Sequence, residues 1–265
     1  GVVCDTSGDI VQAWGDPNAV ILPRSSSKMM QALPLIESGA ADAFGLTPQH
    51  LALVCASHEA AAMHIDPIRR WHDRLDLKDR DLLCGPQTPR DPTIHDAMIR
   101  AHESPCRIHN NCSGKHTGFL TYSKHIGAGP DYVEPSHPLQ VAVRDAFETL
   151  TGMDSPGFGI DGCSAPNFAT SIHGLARAMA YFAGARDSGS TRDRAAVRLV
   201  QAMTAHPELV CGEGRASTEI TRALGGDGAL KGGAEGVFVA ILPKLGLGAA
   251  VKITDGATRA SEVAI

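Results

Sequence analysis

From Val2 to Trp14, apolar and polar residues alternate on either side of Ser7 and Gly8, the pattern of two strands joined by a tight turn. The period then changes. After Pro23 the apolar positions Met29, Met30, Leu33, Leu35 and Ile36 recur at helical spacing and stop at Gly39. Residues 51–57, LALVCAS, form a short apolar run of strand or buried-segment type that ends in the polar pair Ser57-His58. Helical spacing returns over residues 66–74, 92–102, 114–125, 138–150, 166–183 and 191–205, several of these opened by Asp, Asn, Thr or Pro. From Ala229 to Thr254 the chain regains strand character, with glycine-rich turns at 232–236 and 246–248. Strands at both ends with helices between them predict an α+β fold: an antiparallel sheet whose N- and C-terminal strands lie side by side, flanked by helices. No repeat, low-complexity tract or linker interrupts the chain, so one domain over residues 1–265 is the economical expectation.

The longest apolar stretch, GVFVAILPKLGLGAAVKI (236–253), is broken by Pro243, Lys244 and Lys252 and reads as paired strands, not a bilayer span. A hydrophobic fraction of 43% with 20% charged residues is ordinary for a globular protein. The net charge of −5 and the scatter of 24 Lys and Arg without a basic run argue against nucleic acid or anionic membrane as partners. Seven cysteines at irregular spacing (Cys4, Cys55, Cys84, Cys106, Cys112, Cys163 and Cys211) suit reduced thiols in a cytoplasmic protein, some of them available to a metal. The chain opens in mid-strand without a starting Met or a signal peptide. Trimmed ends are therefore expected, at the N-terminus and after TRASEVAI.

Three serines precede a lysine in PRSSSKMMQALP (23–34). Residues three apart on a helix share a face, so Ser25 is the serine expected to meet Lys28, beside the N–H groups and positive dipole end of the helix. The competing reading is an N-cap serine cluster with a solvated lysine. A second pair is offered by Ser57 and by Lys231, which opens LKGGAEGVFVA; a neighbouring ammonium would lower the pKa of either lysine. In HNNCSGKHTGF (109–119), Gly114-Lys115 looks like part of a phosphate loop, but His109 stands where glycine is required and no hydroxyl directly follows the lysine. Cys112 and Cys163, each in a glycine-containing turn, suit zinc if a nitrogen donor joins them; by residue type that donor is His109 or His116, and the alternative is two inert buried thiols.

Taken in order, PRSSSKMMQALP, CASHEAAAMH, HNNCSGKHTGF, GIDGCSAPNFA and LKGGAEGVFVA resemble the successive motifs of the rhizobial-type (class 3) L-asparaginases, from about Trp14 to the end. The resemblance implies hydrolysis of L-asparagine to L-aspartate and ammonia on a fold similar to the serine β-lactamases and glutaminases. It implies catalytic pairs Ser25–Lys28 and Ser57–Lys231, and zinc held by Cys112, Lys115 and Cys163, with Asp161 as the partner behind Lys115. It places Arg24, His58 and Asn110 around the substrate, with Arg24 on the α-carboxylate, and implies a homodimer. The lysine in that metal set replaces the histidine expected from residue type. One departure stands out: relatives read Ser-His-Ser-Gly-Glu where this chain has Ser57-His58-Glu59-Ala60-Ala61, which affects the turn after Ser57. Rival readings are a glutaminase or β-lactam-binding serine hydrolase on the same scaffold, and a zinc-binding protein without catalysis.

Overall fold

A computed structural model describes residues 1–265. The N-terminal hairpin, β1 (Val2–Asp5) and β2 (Ile10–Ala13), is followed by a short strand β3 (Val20–Ile21). Helices α1 (Lys28–Glu37), α2 (Ala40–Ala43), α3 (Pro48–Val54), α4 (Ala62–Leu75), α5 (Pro92–Ala101), α6 (Ser113–His125) and α7 (Pro138–Thr151) come next. Short strands β4 (Phe158–Ile160), β5 (Pro166–Phe168) and β6 (Thr170–Ser171) lead into α8 (Ile172–Gly184), α9 (Thr191–Ala205), α10 (Pro207–Val210) and α11 (Ala216–Ala223). The chain closes with β7 (Ala229–Gly232), β8 (Val237–Leu242), β9 (Leu247–Lys252) and α12 (Thr258–Ala264). No helix is long and apolar enough to cross a membrane.

The main sheet has the order β2-β1-β9-β8-β7, antiparallel throughout, so the first and last strands are hydrogen-bonded neighbours as the sequence pattern predicts. Val239 of β8 stands opposite both Lys231 of β7 and Ala250 of β9. β8 is apolar without alternation because both of its faces are covered. Val237, Val239 and Ile241 join the main core, while Phe238 and Ala240 join Leu230 in a smaller cluster flanked by Ile220, Leu224 and Ile265. α8 lies so close to β9 that a Cβ on Gly248 would fall 1.9 Å from the Ala180 backbone nitrogen. One continuous core of 57 buried residues runs from the sheet into the helical layer.

Two local expectations change. The LALVCAS run belongs to helix α3, because Thr47 and Pro48 supply a helix start: the Thr47 backbone N–H donates to His50 Nδ1 at 3.1 Å, and Pro48 sits in the first turn. A short apolar run has no period of its own to separate buried helix from buried strand. The helix expected over 166–183 begins only at Ile172, where the Ser171 hydroxyl caps the Gly174 N–H at 2.9 Å; the residues before it pair as β5 with β4 and β6 with β3. Helix α6 is buried from Ser113 to Ser123 despite its polar sequence. Its glycines allow this: a Cβ on Gly114 would lie 2.4 Å from the Leu53 carbonyl oxygen, and one on Gly118 would lie 2.6 Å from Val54 Cγ1. Its hydroxyls bond inward, Thr117 to the Ser113 carbonyl and Thr121 to the Thr117 carbonyl, both at 2.8 Å.

Candidate active site and adjoining thiol cluster

Lys28 begins α1 and Lys231 lies in β7, and both are almost wholly buried. Their ammonium groups converge on one hydroxyl. Lys28 Nζ donates to Ser57 Oγ at 3.1 Å and to the carbonyl of Ala56, while Lys231 Nζ donates to Ser57 Oγ at 2.9 Å and to the Gly232 carbonyl at 2.7 Å. Ser57 follows the end of α3, and its backbone N–H is fixed to the Val210 carbonyl at 2.8 Å. Burial lowers the Lys231 pKa to about 8, with nearby Lys28 pushing the same way against the opposing pull of the Cys211, Cys112 and Cys55 thiols.

Ser25 occupies a single 3-10 turn, Arg24–Ser27, ahead of α1. The Ser26 and Ser27 hydroxyls are spent on the carbonyls of Pro23 (2.7 Å) and Arg24 (2.9 Å), whereas Ser25 faces a cavity of about 290 Å³ that it shares with Ser57 and Lys231. The expected Ser25–Lys28 contact is replaced by Lys28 with Ser57, because the free carbonyl of Ala56 draws the ammonium to the end of α3. Arg24 takes a left-handed φ of 55°, a strained conformation for a side chain of its size. Gly233 presses on this turn: a Cβ there would lie 2.7 Å from the Pro23 carbonyl oxygen. A larger groove of about 500 Å³, lined by Trp71, Arg70, Arg74 and His206, contains no serine–lysine pair.

The three residues expected around the substrate are otherwise engaged. The Arg24 guanidinium is tied to Asp161 (Nε to Oδ1, 2.8 Å) and to Glu235. Asn110 donates to the carbonyls of Cys84 (2.9 Å) and Gly85 (3.1 Å) and accepts from the Cys112 N–H. His58 is buried, and that burial, then the neighbouring His64 and Lys28, holds its pKa well below the ordinary range. Neutral His58 accepts the Ala60 N–H at Nδ1, so Nε2 carries the proton in its 2.9 Å contact with Ser113 Oγ. All three brace the loops behind the cavity. Its walls include Arg90 and Arg215, which no motif announced, each a single polar residue without a spacing that marks it, and Asn111 and Glu235, which lie inside motifs but were not singled out there.

The altered turn keeps its shape at a cost. Ala60 adopts φ 61°, the left-handed region in which glycine is unstrained, and it is the position where the resemblance calls for glycine. Two backbone N–H groups, of Arg90 and Asp91, donate to the Glu59 carbonyl at 3.0 and 2.9 Å and hold the turn in place. The Glu59 carboxylate lies 3.5 Å from Arg215 Nε and rests on Gly212, where a Cβ would stand 2.7 Å from it.

Beside this pocket, Lys115 Nζ bonds Cys163 Sγ at 3.1 Å. Cys163 sits in a tight turn closed by the Ser164 N–H on the Asp161 carbonyl, 2.8 Å, and Cys112 precedes α6. Hydrogen bonding from Cys112, reinforced by Lys115 and His116, lowers Cys163 far into the thiolate range, and the same bond with burial raises Cys112. Burial disfavours the Lys115 ammonium, but the sulfurs of Cys163 and Cys112 outweigh it and raise its pKa. His116, pushed down to about 4 chiefly by burial, bonds Tyr132 through Nδ1 at 2.8 Å; its Nε2 lies beside Cys163 without a well-aligned hydrogen bond. His109 is turned away, its Nδ1 accepting the Cys106 N–H. Asp161 does not bond Lys115: its Oδ2 lies 3.6 Å from Cys163 Sγ and its Oδ1 accepts from Arg24. No cluster of three or more His, Cys, Asp or Glu side chains suits a metal anywhere in the chain, so a metal here depends on the lysine amine as third donor.

The family model for L-asparaginase II matches residues 1–265, and the chain belongs to that family. No curated protein matches it. Membership makes the chain an asparaginase-type amidohydrolase.

Relief of the left-handed alanine gives a direct test of the turn. Ala60→Gly is expected to raise stability by up to about 1 kcal/mol, strain release exceeding the added entropy of the unfolded chain. The midpoint of urea denaturation measures it, and an unchanged or lower midpoint would show that the turn stores no strain.

Proposed function

We propose that this member of the L-asparaginase II family cleaves the side-chain amide of L-asparagine by acyl transfer to serine. The observation that carries the reading is the Lys28–Ser57–Lys231 convergence on a cavity that also holds Ser25. Two buried ammonium groups around one hydroxyl repel each other, so one amine is driven toward its neutral form, and Lys231 is the one with the lowered pKa. The neutral amine removes a serine proton as the serine oxygen attacks the amide carbon. The proton then passes to the departing nitrogen, the C–N bond breaks, and ammonia leaves an aspartyl ester on the enzyme. Water, deprotonated by the same amine, attacks the ester; L-aspartate departs and the serine regains its proton.

Ser25 is our first choice as acyl acceptor: it faces the cavity with an uncommitted hydroxyl, and Ser57 then relays its proton to the lysines. Ser57 as acceptor is the second reading, favoured by its direct contacts with both amines. Acid-quenched enzyme, digested and mapped by mass, decides between them. Ser25→Ala is expected to lower kcat by about a thousandfold or more and to remove the aspartyl adduct, whereas an adduct found on Ser57 would reverse the assignment. Ammonia release from L-asparagine, L-glutamine and a chromogenic β-lactam in parallel separates this reading from a glutaminase or β-lactam hydrolase.

The base imposes a pH dependence. With Lys231 near 8, kcat/KM should rise with pH through that value as the amine loses its proton. A profile that is flat or falling across this range in the wild type would remove Lys231 from the role of base.

Cys112, Cys163 and Lys115 are also proposed as a zinc site. Two buried sulfurs, one with its pKa lowered, and an amine in contact with it form a donor set that fits zinc once Lys115 gives up its proton. When bound, zinc would supply a local dication that orders the cavity wall. Wild-type protein equilibrated with zinc and desalted should retain about one ion per chain, and Cys163→Ala nearly none, by elemental analysis. Equal retention by the two would refute the site.

A further inference from the structure

The groove of about 500 Å³ lies between the start of α3, one face of α4 and α10, and shares no lining residue with the catalytic cavity. Met63, Pro67, Arg70, Trp71 and Arg74 form a single stripe of α4, at spacings of three or four residues, and all of them line it. Donors without acceptors gather there. Arg70 makes no ion pair or hydrogen bond, and Arg74 makes one bond, to the Phe44 carbonyl. His50 accepts the Thr47 N–H at Nδ1 (3.1 Å), so the neutral ring carries its proton at Nε2, where no acceptor meets it. Trp71 lines the groove as well, and its indole N–H is buried without an acceptor. Burial lowers the His50 pKa, and Arg74 and Arg70 push the same way with no carboxylate opposing them. The one carboxylate of the groove, Glu208, is already engaged, 3.5 Å from Arg222 Nη2 and 3.7 Å from His206 Nδ1.

We propose that this groove is a second binding site, for a small carboxylate anion with an apolar body. The carboxylate takes the open donors of Arg70, Arg74 and His50, and the apolar part lies against Met63, Pro67 and Leu209. Glu208 on the same wall disfavours a second negative charge, which sets a monoanion above a phosphate dianion. Neither arginine touches the serine–lysine machinery, so the site is separate from the amide-hydrolysis reading and does not rest on it.

Three probes test it by calorimetry: cyclohexanecarboxylate, cyclohexanecarboxamide (the same ring without the charge) and acetate (the charge without the ring). Wild type should bind cyclohexanecarboxylate about tenfold or more tighter than either of the others. The chain has two tryptophans, and replacing the exposed one, Trp14→Phe, leaves Trp71 as the sole emitter; its fluorescence should change with the same midpoint as the heat. Arg70→Met should lower cyclohexanecarboxylate affinity to the level of the amide while leaving the amide's own binding unchanged, which shows that the groove is intact. Arg215→Met, on the wall of the catalytic cavity instead, should bind all three probes as wild type does. The site is overturned if wild type binds none of the probes or does not distinguish them, if Trp71 emission stays flat while heat is released, if Arg70→Met binds cyclohexanecarboxylate as wild type does, or if Arg215→Met abolishes its binding.

Discussion

Two lysine amines share one serine hydroxyl inside the protein, and that arrangement sets the terms for much of the rest. Lys231 loses hydration in its buried site, and the Lys28 amine beside it raises the cost of charging it. Lys28 is anchored by the Ala56 carbonyl at the end of α3, Lys231 by the Gly232 carbonyl at the end of β7, so the pair exists only when helix end and strand end are brought together. The sheet order makes that possible. β7 is held by β8, β8 by β9, and β9 is pinned to both β1 and the backbone of α8 through Gly248. The polar centre thus depends on packing that is apolar on both faces of β8.

The thiol cluster is joined to the pocket by a chain of charged contacts. Cys163 lies against Asp161, Asp161 bonds Arg24, and Arg24 bonds Glu235 on the cavity wall. Arg24 therefore spans the two sites, and its backbone N–H is held by the Asn167 side chain at 3.1 Å, which steadies the residue immediately before Ser25. Two side chains, Asp161 and Arg24, stand between the Cys163 sulfur and the serine turn. The left-handed backbone at Arg24 is in keeping with this: the turn is held by its contacts against its own conformational preference.

Helix α6 illustrates how a polar sequence enters a core. Its glycines let α3 approach, its threonines bond their own backbone, and His72 meets Thr117 at 2.9 Å, so few of its polar groups are left without partners. Two are left, the Ser123 hydroxyl and one nitrogen of His116. His116 Nε2 is buried and unpaired beside Cys163, a departure from full satisfaction at the thiol cluster.

The sequence by itself determined the α+β class, the pairing of the terminal strands and the family, because alternating strands, helical periods and five ordered motifs are local properties that survive without tertiary context. It also marked Ser25, Lys28, Ser57, Lys115, Cys112, Cys163 and Lys231 as residues of interest, since Ser-x-x-Lys and the glycine-flanked cysteines stand out as text. Partnership was another matter. Helical spacing assigned Lys28 to Ser25, yet a lysine side chain is long enough to follow whichever carbonyl and hydroxyl lie free nearby, and only the packing of α1 against the end of α3 puts those of Ala56 and Ser57 within reach. Likewise Arg24 reads as a free cation in sequence and is a paired one in space, whereas Arg90 and Arg215, unmarked in sequence, face the cavity because three separate loops close around it. Local pattern records what a segment tends to become; which charges meet is decided by contacts between residues far apart in the chain, and these exist only after the core has formed.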